Sequence, residues 1–172
     1  VDVKVDAPVA KTALDTTATT STEGLSATEY AVTWTADGET VTGDAEYNTT
    51  YTASVTLKAN STSAFASDVK ATANGVTASL TENVDGTITV SYTFPVTEMG
   101  TISHEASGFY TTYDGIAHGI TVNVSDPTDV TISYSTDEGD DKTYSETNPT
   151  FVDAGSYTVY YKIEKDNYTT VT

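Results

Sequence analysis

The sequence predicts an all-β protein built as two tandem β-sandwich domains, and three observations lead there. Threonine supplies roughly a fifth of the 172 residues, and together with the twelve tyrosines it favours strands. Helix formers are scarce: there is no arginine, no glutamine and a single methionine. Wherever a pattern is clear, apolar residues recur with period two between turn dipeptides, as half-buried strands require.

The stretch from Thr12 to Gly24 is rich in threonine and alanine with little periodicity, and it reads neither as strand nor as loop. The first clear strand follows, with Tyr30, Val32 and Trp34 alternating against Ala31 and Thr33. That alternation makes Trp34 the expected core anchor of the first domain. Ala36-Asp37-Gly38 then turns the chain. A second strand carries Tyr51, Ala53, Val55 and Leu57 on one face, with Thr52, Ser54, Thr56 and Lys58 on the other. Asn74-Gly75 and Asp85-Gly86 are strong hairpin dipeptides. Behind them Ile88, Val90, Tyr92 and Phe94 repeat the alternation.

A break falls at Pro95-Val96-Thr97-Glu98-Met99-Gly100, so the expected domains are residues 1–97 and 98–172. Each is long enough for a modest core. The short connection leads to the expectation of two units held end to end as a semi-rigid rod. In the second unit Ile120, Val122 and Val124 alternate, followed by Val130, Ile132 and Tyr134, then Tyr157, Val159, Tyr161 and Ile163. Turn chemistry separates these runs at Tyr113-Asp114-Gly115, Asp126-Pro127, Asp137-Glu138-Gly139 and Asn148-Pro149.

Asp153-Ala154-Gly155-Ser156-Tyr157-Thr158-Val159 matches the corner of immunoglobulin-type sandwiches, where a tyrosine precedes a core cysteine by two residues. Here Val159 occupies the cysteine position, and the chain contains no cysteine. The expected arrangement has residues 153–155 turning into a strand, Tyr157 bonding back across the corner, and Val159 filling the half-disulfide space. Tyr157 is thereby folding hardware rather than a ligand site.

The second unit resembles the small Ig-like repeats of bacterial surface proteins known as MBG-type domains. The resemblance is carried by residues 113–120 (Tyr113-Asp114-Gly115-Ile116-Ala117-His118-Gly119-Ile120) and 132–135 (Ile132-Ser133-Tyr134-Ser135). It continues through Asn148-Pro149-Thr150-Phe151, the stretch from Asp153 to Lys162, and Asp166-Asn167-Tyr168. The first unit is similar to another Ig-like repeat of Gram-positive gut-bacterial surface proteins. Its marks are the run from Tyr47 to Ala53, Val55 to Ala59, Phe65-Ala66, Ala73-Asn74-Gly75 and Gly86 to Pro95. Both resemblances imply Ig-like stalk or adhesion modules in repeat arrays, with no catalytic site and no cofactor.

The net charge of −18 and pI near 4.1 disfavour nucleic acid and anionic lipid surfaces as partners. The acidic residues are dispersed, as expected for solubility. No apolar run reaches the roughly 18 residues of a membrane helix. The absence of cysteine fits an extracellular bacterial source better than a secreted eukaryotic one. The chain reads as a fragment of a longer cell-surface polypeptide.

Candidate chemistry is thin. His104, beside Glu105 in the expected first strand of the second unit, is read as exposed, and His118 as a turn residue before a strand. No serine carries a nucleophile motif, and no carboxylate pair stands out. The acidic turn Asp137-Glu138-Gly139-Asp140-Asp141 is weighed as a calcium site; its spacing departs from a ligand loop, and a solvated hairpin tip is the expectation. A lysine–asparagine isopeptide is not expected, because Lys4 faces no asparagine in the strand from Thr87 to Phe94. The triplets at Asn48, Asn60, Asn123 and Asn167 follow from threonine abundance.

The expected function is therefore non-catalytic: a stalk, spacer or adhesion repeat whose partners are neighbouring repeats and, for adhesion, a host or dietary glycan or protein. The alternative is a carbohydrate-binding accessory module of a secreted polysaccharide-degrading enzyme. Tyr160, expected to point away from Tyr157 and Tyr161, is its best platform residue, followed by Tyr110, Tyr144 and Tyr168.

Overall fold

The computed structural model describes residues 1–172, which form twelve strands and no helix. The all-β class is borne out. The chain divides into two compact units, Val1–Glu98 and Met99–Thr172.

The first unit contains β1 (Asp2–Val3), β2 (Thr17–Thr19), β3 (Glu29–Ala36) and β4 (Glu39–Val41). It continues with β5 (Thr52–Leu57), β6 (Ala71–Ala73), β7 (Val76–Glu82) and β8 (Ile88–Thr93). All eight belong to one sheet in the order β1-β6-β7-β8-β5-β3-β2, with β4 hairpinned onto β3. Just past β1, Lys4 and Thr19 exchange both backbone hydrogen bonds, at 2.7 and 2.8 Å. The sheet path thus returns to β2 and takes a barrel-like form, which leaves few unpaired edges. The unassigned stretch from Thr12 to Gly24 supplies β2, whose Ala18 is buried. Its alternation spans too few residues to register as a period.

Alternation places Ala53, Val55 and Leu57 of β5 and Ile88 and Val90 of β8 in the core. On the opposite face, the same register pairs hydroxyls: Thr52 with Thr93 at 2.8 Å, Ser54 with Ser91 at 2.8 Å, Thr56 with Thr89 at 3.1 Å. The hydroxyl-rich composition therefore has a structural use as a cross-strand ladder. Trp34 is buried against Tyr51 and Phe94, and its indole N–H donates to the Asp15 carbonyl at 2.6 Å. Asp37-Gly38 and Asn74-Gly75 close two-residue hairpins with positive φ at all four positions, the mirror-image turn that suits twisted strands.

Strand direction sets where the chain enters and leaves. β1 is parallel to β6, and two antiparallel steps lead from β6 through β7 to β8. β1 and β8 therefore run the same way, so the chain enters this unit at one end and leaves at the other. The leaving segment is tied down, with Thr97 N–H donating to the Thr49 carbonyl at 3.0 Å and Thr97 Oγ1 to that of Glu46 at 2.6 Å.

The second unit holds β9 (Ser103–Ser107), β10 (Thr121–Asp126), β11 (Thr131–Ser135) and β12 (Tyr160–Glu164). They pair as two antiparallel two-stranded sheets, β9 with β10 and β11 with β12. Ile163 of β12 is fully buried. Gly100 near the start and Tyr168 near the end run parallel. The Gly100 N–H donates to the Asn167 carbonyl and its carbonyl accepts from the Thr169 N–H, both at 2.9 Å. A side chain at Gly100 would lie 2.5 Å from the Tyr168 ring, so only glycine lets the two segments approach.

The last strand starts at Tyr160, not at Tyr157 as the alternation indicated. β11 ends at Ser135, opposite Tyr160, so residues 157–159 have no strand to pair with. The corner hydrogen bond is nevertheless made: Tyr157 Oη donates to the Asp153 carbonyl at 3.2 Å. Val159 is half-buried rather than a core residue.

Candidate functional site

Three loop segments of the second unit, the first two consecutive between β9 and β10, gather aromatic rings around a groove of about 390 Å3. The first runs from Gly108 to Tyr113, between β9 and β10, and brings Phe109, Tyr110 and Tyr113. The second, residues 114–120, brings Asp114, Ile116 and His118; the third, residues 151–157, brings Phe151, Asp153 and Tyr157. Backbone hydrogen bonds between His118 and Phe151, at 3.0 and 2.9 Å, hold the second and third loops together.

The rings are arranged as two stacked pairs. Phe109 lies on His118 with centroids 3.8 Å apart and planes 10° from parallel. Phe151 lies on Tyr157 at 4.0 Å and 7°. The imidazole Nε2 of His118 sits 2.9 Å and 3.1 Å from the two Asp114 oxygens, and the Ile116 N–H donates to the same carboxylate at 2.9 Å. The Ile116 amide first, and then the His118 ring, hold the Asp114 carboxyl below its ordinary pKa. His118 makes an isolated antiparallel bridge to Phe151 and is at the same time a wall of the groove.

Much of the groove's apolar lining stands in solvent, while Ile120, Phe151 and Val159 are half-buried. Tyr110 is fully exposed, and Phe109, Tyr113 and Ile116 are more than half exposed. In the first unit, by contrast, Trp34, Tyr51 and Phe94 are all buried. Exposed clusters of this kind mark ligand or partner surfaces on folded proteins.

The tyrosines singled out in the sequence fall in different places. Tyr110 lies in the groove. Tyr160 lies outside it, with the Lys142 ammonium 4.4 Å over its ring. Tyr144 carries the Lys162 ammonium at 5.2 Å, and Tyr168 packs on Gly100. Contrary to the expected exposure, His104 is half-buried, because its β9 position brings its Nε2 to the Tyr161 hydroxyl at 3.1 Å. The acidic turn is an exposed loop in which Asp137 accepts from the Thr143 N–H at 2.9 Å and Lys142 folds onto the Gly139 carbonyl. No three histidine, aspartate or glutamate side chains converge in a metal-holding cluster. Lys4 pairs with Asp2 at 2.9 Å.

Phe109, Tyr113 and Phe151 belong to the groove although the sequence reading passed over them as ligand residues. The signal was there in the density of aromatics over residues 109–113, outside any alternating run. Comparison of the chain with family models, with curated proteins and with solved structures gave no match.

Proposed function

We propose that this chain is a non-catalytic extracellular module, two tandem Ig-like sandwiches acting as a spacer or adhesion repeat of a larger bacterial cell-surface protein. Strand direction is the observation that carries this reading. In the first unit, tension between Val1 and Glu98 pulls β1 lengthwise past β6, so its bonds are loaded together in shear. In the second, the parallel bonds between Gly100 and residues 167–169 load the same way when the two ends are drawn apart. Hydrogen bonds sheared together resist extension better than bonds peeled one at a time, and this is the property a spacer needs. The Tyr157–Asp153 bond supports the Ig-type reading of the second unit. The acidic surface keeps neighbouring repeats from associating.

Single-molecule stretching between the chain ends tests the load-bearing reading. Two separate force peaks are expected, each followed by release of roughly 3.3–3.6 Å per residue of the unit that opened. Extension without peaks above the unfolded-chain baseline would rule the spacer out. The exposed aromatic groove favours a second reading, a carbohydrate-binding accessory module of a secreted polysaccharide-degrading enzyme.

A further inference from the structure

We infer that the aromatic groove of the second unit is a binding site for a neutral glycan chain, with Tyr110, Tyr113 and the outer faces of the two stacked pairs as its platform. The site bears on adhesion and is independent of load bearing, so its test and the stretching experiment fail separately.

The chemistry of the lining selects the ligand. Flat stacked pairs, Phe109 on His118 and Phe151 on Tyr157, leave Phe109 and Tyr157 about half exposed rather than closed into a box of rings. A ring face is electron-rich, and the C–H face of a pyranose, weakly positive and flat, is its complement. Polar groups at the rim supply the orientation that ring stacking lacks: the Asp114 and Asp153 carboxylates accept from sugar hydroxyls, and Ser156 and Thr111 both donate and accept. The groove's volume of about 390 Å3 lies within the range of ligand sites, about 300–1,000 Å3.

Charge disfavours anionic chains and a second copy of this chain. Phosphorylated, sulfated or uronic-acid chains would approach two rim carboxylates on a molecule of net charge −18. A second copy of this chain would set like rims against each other, so self-association through this face is disfavoured. A cation, which a single ring face attracts, is set against the hexaoses in the test.

The backbone beside the rings faces open space, since a Cβ at Gly108 or Gly115 would meet nothing within 4 Å. Tyr110 stands wholly in solvent at the mouth, placed to contact a polymer running past the groove rather than a small molecule enclosed by it.

The test is a titration of the 172-residue chain with cellohexaose, xylohexaose, mannohexaose and maltohexaose, followed by heteronuclear NMR and calorimetry. At least one hexaose is expected to shift the resonances of residues 108–118 and 151–157. Tyr110→Ala and Tyr113→Ala should each weaken that binding by about tenfold, or about 1.4 kcal/mol. Both side chains are exposed, so the variants should keep the wild-type circular dichroism. Tyr160→Ala should leave binding unchanged. Any of four results overturns the proposal: no shift with any hexaose at about millimolar Kd, the weak end of measurable affinity; shifts lost in Tyr160→Ala but kept in Tyr110→Ala; shifts produced by acetylcholine or by an anionic oligosaccharide but not by the hexaoses; or sedimentation showing that the groove is closed by dimerisation.

Discussion

The indole N–H of Trp34 reaches the Asp15 carbonyl while its rings meet Tyr51 edge-on, with centroids 6.4 Å apart, and Phe94 at 5.6 Å. Trp34→Ala removes that packing and leaves a cavity, so a loss of about 3–5 kcal/mol is expected in urea unfolding followed by circular dichroism. A loss under about 1 kcal/mol would refute the assignment of Trp34 as the core anchor. Gly100 makes the matching case in the second unit, where the Tyr168 ring occupies the space of a Cβ. Gly100→Ala should destabilise that unit by about 1–3 kcal/mol through overpacking. Trp34 is the only tryptophan, so its fluorescence reports the first unit alone and should unfold at the wild-type urea concentration. The burial of Trp34 was legible from its place in an alternating run. The need for glycine at residue 100 was not, because its partner lies 68 positions later in the chain.

Pairing between elements explains the composition. On β5 and β8 the core takes the apolar alternates and the outer face takes paired hydroxyls, so threonine and serine serve the sheet at every second position. A double-mutant cycle on Ser54→Ala and Ser91→Ala should give a coupling of about 0.5 kcal/mol, within the range of cross-strand pairs. Additive effects would mean that the two hydroxyls act independently. The β1–β6 pairing carries a pH signature. Asp2 accepts from Thr72 Oγ1 at 2.5 Å and from the Gly75 N–H at 3.2 Å, and Lys4 lies 2.9 Å away. The Thr72 bond first, against desolvation and with help from Lys4 and Gly75, holds its carboxyl below 3.8. Folding then favours the ionised form, so this stabilisation is complete above pH 3.8 and fades as pH falls through the lower folded value. Asp2→Asn should flatten the acid limb of first-unit stability, read by tryptophan fluorescence, and change the slope near neutrality little. The long alternating strands β3, β5 and β8 were legible. β2 and β6, three residues each, were not, since their pairing partners rather than any local period define them.

Across the whole molecule, twenty-five carboxylates stand against seven lysines, and their mutual repulsion opposes the compact state. Raising sodium chloride from about 0.02 M to about 0.5 M shortens the screening length from about 20 Å to about 4 Å. The unfolding temperature of both transitions should therefore rise, as calorimetry can check; an unchanged or falling Tm would mean that the surface charges are already balanced locally. The sequence by itself determined the β class, the long strands, the hairpin dipeptides, the acidic surface and the place of Trp34. Each of these depends on residue type, a period of two or a sum of charges, which are local or additive quantities. Only the tertiary structure decided that β1 pairs with β6 some seventy positions away and that Lys4 bridges to Thr19 to close the sheet. It alone decided that Tyr157 stacks on Phe151 beside the groove instead of opening the last strand, and that Tyr110 rather than Tyr160 stands free. The physical reason is that which rings gather, and which strands meet, is set by contacts between segments far apart in the chain, and no local period records them.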